Sequence, residues 1–326
     1  MKAIVQDVYG SDPEALLRVA EVPQPRIGPH DVLVKVGAAS VDRGTWHLMT
    51  GRPQLMRLIG FGFRRPKALN PGRSFAGTIV SIGNEITEFQ PGDAVYGTSN
   101  GAFAEYVAAE AGKLARKPAN LSFEQAAAAP VSAVTAIQAV RDVANVQQGQ
   151  RVLIIGASGG VGTFLIQLVK AYGGRVTAVA SGAKLDLVRA LGADEVIDYT
   201  HDDFADGRQI YDVILDTGGN RPLSQIRSVL APNGTLVIVG GETDGRWLGG
   251  FGRNLRAMLL APFVRGQHLR SLASKENSAD LDALRALFEA GQLTPAIDRT
   301  YPISETAAAI RHLTEGRARG KIVITT

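Results

Sequence analysis

The run RVLIIGASGGVG over residues 151–162 carries the most informative chemistry in this chain. An apolar stretch ends at Ile155, glycines at 156, 159 and 162 turn the backbone, and a helix-like pattern follows from Val161. Glycines at this spacing permit a tight turn, close approach of backbone to a pyrophosphate, and close helix–strand packing. A helix that starts there offers free N–H groups and partial positive charge to phosphate oxygens. Ser158, Gly159, Gly160 and Val161 are the expected contacts. The turn is not the strict GxGxxG, because Ala157 holds the first glycine position. A connection that binds nothing, or one that serves a flavin, is the alternative. Its place at the head of a series of strand–helix units favours a nicotinamide dinucleotide.

The second strand of such a unit distinguishes the two nicotinamides. An NAD site usually places Asp or Glu at that strand's end, where it binds the ribose hydroxyls. Here residues 180–184 read Ala-Ser-Gly-Ala-Lys and hold no acid. Ser181 can hydrogen-bond a 2′-phosphate and Lys184 can neutralise it. A helix cap followed by a solvated lysine is the plainer reading of the same residues. The absent acid together with the present base points to NADPH.

Two kinds of element must position these groups. Up to about residue 123 the chain shows short β-like runs at 32–36, 78–82, 94–96 and 103–107, broken by Gly and Pro, as a mostly antiparallel β domain would. Ser122 can cap a helix. From there apolar strands alternate with helices, the pattern of a parallel sheet covered on both faces. After residue 292 the β style returns and ends in a strand at 322–324. The expected fold is therefore α/β, a doubly wound Rossmann sheet over 124–292 inserted into a β domain made of 1–123 and 293–326.

Composition narrows the chemistry further. With 326 residues, two domains are expected, and 45% apolar residues are enough for two cores. There is no cysteine, which removes disulfides, thiolate nucleophiles, iron–sulfur clusters and thiolate zinc sites. The net charge of +4 is scattered rather than striped, so nucleic acid is not an evident partner. Asp7 interrupts any signal-like apolar run and residues 257–264 are too short to span a bilayer, so a cytoplasmic location is expected.

Taken together, several motifs make the chain resemble the medium-chain dehydrogenase/reductase superfamily, in its zinc-free quinone oxidoreductase (zeta-crystallin-like) branch. They are residues 36–41 and 47–51, 71–77, PGDAVYG at 91–97, AFAEY at 102–106, the 156–162 turn, LGADEVIDY at 191–199, and GKIVI at 320–324. The resemblance covers essentially the whole length. It implies that the β domain is GroES-like, with the active site in the cleft between the domains. It also implies that Tyr199 lies against the adenosine 2′-phosphate beside Ser181 and Lys184. Thr217, Gly218 and Asn220, with Val239, Gly240 and Gly241, would line the cofactor's ribose and nicotinamide.

Zinc members of this superfamily hold the metal with a cysteine, a histidine–glutamate pair and a second cysteine. Those positions fall here at Asp42, at Arg73 and Ser74, and near Val131 and Ser132. An arginine in place of a ligand argues against zinc, and no metal is expected. The branch commonly has Asn where this chain has Asp42. Asp42 could donate a proton if burial raised its pKa, or serve only as an acceptor for backbone N–H groups. His47 stands where the branch usually has tyrosine. It could stack near the nicotinamide, donate a proton, or simply pack. Trp46 is assigned to the substrate.

Without a Lewis acid, activated acceptors are the natural substrates. Hydride transfer from NADPH to a quinone or an α,β-unsaturated carbonyl compound is the expected reaction. The alternative is an NADPH-binding regulator or a nucleic-acid-binding protein with little turnover. Residues 247–264, with Trp247 and a group of arginines, could cap the substrate cleft, make a subunit contact in a homodimer, or form a plain surface helix.

Overall fold

Short β-prone runs joined by glycine turns pair with their neighbours in the chain, whereas apolar runs separated by helices must cross over and pair in parallel. Both behaviours occur here. The computed structural model describes the chain apart from residues 56, 59–61, 68, 242–248, 250 and 265, and all element counts are of the described residues. It divides into two units, Met1–Val134 with Glu276–Thr326, and Thr135–Lys275.

The first unit begins with β1 (Lys2–Val5), α1 (Pro13–Leu16) and β2 (Arg18–Glu21), the two strands pairing antiparallel. Next come β3 (Asp31–Val41), α2 (Arg43–Thr50), β4 (Ser74–Ile82), β5 (Ala94–Thr98), β6 (Tyr106–Glu110) and β7 (Leu114–Arg116). The expected strand at 103–107 starts three residues late, at Tyr106, because the Phe103 backbone bonds elsewhere, its carbonyl accepting from Ile4 N at 2.8 Å and its amide donating to the Pro71 carbonyl at 3.1 Å. The helices α3 (Phe123–Ala127) and α4 (Pro130–Ile137) follow, α3 opening on a complete capping box between Ser122 and Gln125.

The second unit carries β8 (Arg151–Ile155), α5 (Gly160–Ala171), β9 (Arg175–Ala180), α6 (Leu185–Ala190), β10 (Glu195–Asp198) and β11 (Tyr211–Asp216). It continues with α7 (Leu223–Ser228), β12 (Leu230–Ile238), α8 (Phe251–Leu260) and β13 (His268–Ser271). Its sheet runs β10-β9-β8-β11-β12-β13, with every pairing parallel. The order reverses between β8 and β11, which is where such sheets open a ligand crevice at their carboxyl ends. Val152, Leu153 and Ile154 are fully buried, as befits a central strand covered on both faces.

The chain then returns to the first unit through α9 (Ser278–Glu289), β14 (Ile297–Pro302), α10 (Thr306–Thr314) and β15 (Lys321–Thr325). β3 is the hub there, pairing antiparallel with β4, β6 and β15, while β14 lies parallel to β15. Val34, Val36, Phe75, Ile79, Val95, Phe103 and Ile322 form its core.

The unit boundaries fall at 134/135 and 275/276, where the sequence pattern suggested 123/124 and 292/293. The difference has a packing cause. α3 lies on β3 and β4, and α9 lies on β7. The Tyr96 hydroxyl donates to the Leu281 carbonyl at 2.6 Å and the Asn120 side chain donates to the Phe288 carbonyl at 2.7 Å. Among the described residues, no helix is long and apolar enough to cross a membrane.

Candidate active site

The glycine turn sits at the carboxyl end of β8, beside the reversal in strand order. Gly156 has φ 78°, a left-handed conformation that glycine adopts without penalty. A Cβ on Gly162 would lie 2.3 Å from the Gly156 carbonyl oxygen, so only glycine lets α5 start this close to the strand. Gly159 is the N-cap of α5 and no side chain accepts from its first-turn amides. Those amides, carried on Gly160, Val161 and Gly162, fit a phosphate. Ser158, 8% exposed, borders them.

Three adjacent strand ends are stitched together around this turn. Thr217 donates from its hydroxyl to the Ile155 carbonyl at 2.7 Å and from its amide to the same carbonyl at 3.0 Å. Val239 N and Gly240 N donate to the Asp216 carbonyl at 2.9 and 3.2 Å. Thus Thr217, Gly218, Val239 and Gly240 are brought to the cradle, with Gly241 next in chain and the exposed Asn220 at the outer end of the 217–220 turn. The Asp216 side chain, which the sequence reading passed over, accepts from Gly218 N at 3.1 Å and Gly219 N at 3.0 Å. The available signal was an Asp two residues ahead of a Gly-Gly pair.

Ser181 and Tyr199 follow the ends of the paired strands β9 and β10, Tyr199 N donating to the Ala180 carbonyl at 3.2 Å. Tyr199 is 52% exposed and Lys184 is half-buried, its amide donating to the Ser181 carbonyl at 2.8 Å. An acid missing from the end of β9 occurs one strand over. Asp198 accepts from Thr200 N at 3.0 Å and Thr200 Oγ1 at 2.7 Å, bonds that hold its carboxyl below the usual range with help from the Gly182 amide. Asp198 thereby shapes the turn that carries Ser181.

In the first unit, β3 leads straight into α2 through Asp42, the N-cap. Its Oδ1 accepts from Thr45 N at 2.8 Å and Thr45 Oγ1 at 3.2 Å, while Oδ2 is buried without a hydrogen-bond partner. Trp46 packs on the unit's core, and His47 is half-buried with an unpartnered, buried Nδ1. Beside them stands a group the sequence reading missed. Lys321 is 2% exposed and its Nζ donates to the Val41 carbonyl and to Ser132 Oγ, each at 3.2 Å. Burial pushes this ammonium below the ordinary lysine range, and the Asp42 charge pulls it partly back.

The positions where zinc ligands would stand are therefore engaged otherwise. Arg73 donates to Glu276 Oε2 at 2.6 Å, an oxygen shared with Thr98 Oγ1 at 3.0 Å. Ser74 Oγ accepts from Val131 N at 3.1 Å. Asp42 is a helix cap, and Ser132 already faces a cation. Among the described residues no group of three or more His, Cys, Asp or Glu side chains could hold a metal ion. These residues do not fit zinc.

Known proteins similar to this chain in sequence and fold are numerous. Residues 28–119 match the alcohol dehydrogenase GroES-like domain family and residues 191–324 match the family described as zinc-binding dehydrogenase. The mouse NAD(P)H oxidoreductase RTN4IP1, mitochondrial, is 34% identical over 99% of this chain and 89% of its own. The 2-methylene-furan-3-one reductase of Solanum lycopersicum is 31% identical over 99% of this chain and 79% of its own. The solved quinone oxidoreductase from Coxiella burnetii superposes with a TM-score of 0.86 at 29% identity, covering 100% of this chain and 99% of that one. This chain belongs to the medium-chain dehydrogenase/reductase superfamily, in its zinc-free quinone oxidoreductase branch, and is an oxidoreductase that uses a nicotinamide cofactor.

Proposed function

We propose that this protein reduces quinones or α,β-unsaturated carbonyl compounds with NADPH and without a metal. The observation that carries the reading is the start of α5 at the strand-order reversal, where no side chain caps the first-turn amides. The names of the tomato reductase and the Coxiella quinone oxidoreductase support the substrate class. The nicotinamide supplies a hydride when bound. The chain's own part is to hold, orient and exclude water. The amides of Gly160 and Val161 take the pyrophosphate, and the turns at 217–220 and 239–241 take the nicotinamide side. Ser181, Lys184 and Tyr199 take the 2′-phosphate, and Trp46 and His47 face the substrate. Asp42 serves as the cap of α2. The direct test is an NADPH-oxidation screen across quinones, enones and aldehydes with metal-stripped protein. No oxidation with any acceptor, alongside salt-sensitive RNA or DNA binding, would favour the regulator instead.

Lys184 tests the 2′-phosphate assignment. Lys184→Ala removes one charge-assisted contact, worth on the order of 1–3 kcal/mol. The Kd for NADPH should rise roughly tenfold while that for NADH stays nearly constant, as read by fluorescence titration. Equal losses for both cofactors would overturn it.

The metal reading has its own check. Purified protein should contain no stoichiometric zinc, and a chelator should leave quinone reduction unchanged. One tightly bound zinc per chain by elemental analysis would refute the reading, since the Lys321 ammonium already lies against Ser132.

A further inference from the structure

The 217–220 turn is gripped from a helix far along the chain. Arg253, on α8, donates from Nη2 to Asp216 Oδ2 at 2.6 Å. Its Nη1 donates to the Gly219 carbonyl at 2.9 Å and to the Arg221 carbonyl. The second Asp216 oxygen accepts from Gly218 N and Gly219 N. One guanidinium thus fixes the carboxylate that caps the amides at the start of the turn and two carbonyls at its exit. Both side chains are out of water, Asp216 at 1% and Arg253 at 10% exposure.

An ion pair this deep is a poor way to gain stability, because desolvation consumes most of the attraction and an apolar pair would do as well. What it does supply is direction. It holds four backbone groups in one arrangement and cancels a negative charge beside a cradle that must accept phosphates. Burial alone pushes the Asp216 carboxyl upward, and Arg253 pulls it back toward the ionised form that accepts both amides.

We propose that Arg253 is a positioning residue for the nicotinamide-side half of the dinucleotide site, acting through Asp216 on the 217–220 turn. The inference rests on the reading of that turn as facing the cofactor. Its reach is therefore confined to one end of the ligand. The adenosine end, at Ser181, Lys184 and Tyr199, is built from β9 and β10 on the far side of β8.

The test titrates the full chain with NADPH and, separately, with 2′,5′-ADP, which carries the adenosine end and stops there. Arg253→Met should raise the Kd for NADPH at least about tenfold and change that for 2′,5′-ADP by less than about threefold. In the double variant Arg253→Met with Asp216→Asn, the amide still accepts from the Gly218 and Gly219 amides and leaves no charge to balance. NADPH affinity should then recover in part, the remaining loss being the grip on the Gly219 and Arg221 carbonyls. If Arg253→Met fails to fold, Arg253→Lys keeps the charge but loses the fork, and should weaken NADPH alone. An unchanged NADPH affinity in both single variants would overturn the proposal. So would equal weakening of both ligands with no recovery in the double variant, the signature of a merely structural pair. A parent protein that binds neither ligand would instead overturn the cofactor reading on which the proposal stands.

Discussion

With NADPH as donor, quinones and conjugated enones are expected to be reduced with a kcat/KM at least about a hundredfold above that of unconjugated aldehydes of similar size, and ethanol oxidation is expected to be undetectable. The reason lies in where negative charge goes. Hydride addition to a simple aldehyde concentrates charge on one oxygen, which zinc dehydrogenases stabilise with a full positive charge worth several kcal/mol. Here the residues at those positions cap a helix, pair with Glu276, or bond the Lys321 ammonium. Lys321 itself is 2% exposed, so its charge is out of reach of an acceptor. In a quinone or enone the charge spreads through conjugation and hydrogen bonds suffice. A hundredfold ratio corresponds to about 2.7 kcal/mol, well inside the contribution a Lewis acid would have made. Asp42→Asn should leave quinone reduction nearly unchanged, since asparagine caps a helix as well as aspartate does. Efficient alcohol oxidation by metal-free protein would overturn the substrate class, and a collapse of enone reduction in Asp42→Asn would make Asp42 the proton donor.

Gly162→Ala is expected to abolish measurable dinucleotide binding and to lower stability by about 1–3 kcal/mol. The added Cβ would meet the Gly156 carbonyl oxygen at 2.3 Å and the Ala157 carbonyl oxygen at 2.6 Å. Both are backbone atoms, so no side chain can swing aside to relieve the clash. α5 would have to move away from β8, and with it the first-turn amides proposed to take the pyrophosphate. Gly159→Ala is the control. Its Cβ would meet only the Gly156 carbonyl oxygen, at 3.4 Å, and Gly159 has no left-handed φ to lose. Thermal melts and NADPH titration of the two variants separate the readings. Gly162→Ala binding NADPH as the parent does would mean that the turn is not the cradle.

Much of this protein is written in local pattern. Apolar runs such as 152–155, spaced by helices, dictate a parallel sheet because both faces of each strand must be covered. The glycines at 156 and 162 are legible because a tight turn and a close helix start impose steric demands that no other residue meets. The Ser122 cap was equally plain, since a capping box is completed within four residues. The absence of cysteine removed whole classes of chemistry before any fold was considered.

What the sequence withheld are the pairings made across the fold. Arg253 reaches Asp216 from 37 positions away, Lys321 reaches Ser132 from 189, and Arg73 reaches Glu276 from 203. None of these partners has a local pattern that selects it. In sequence each is one charged or polar residue among many. The unit boundaries eluded pattern for the same reason. α3 and α9 read as helices of the nucleotide-binding domain, yet they pack on strands of the β domain. Periodicity fixes which face of a helix is apolar, but not which apolar surface will cover it. That choice, and the burial that pushes the Lys321 ammonium below the ordinary lysine range, belongs to the tertiary structure, because burial and electrostatic partnership depend on which distant segments the fold brings together.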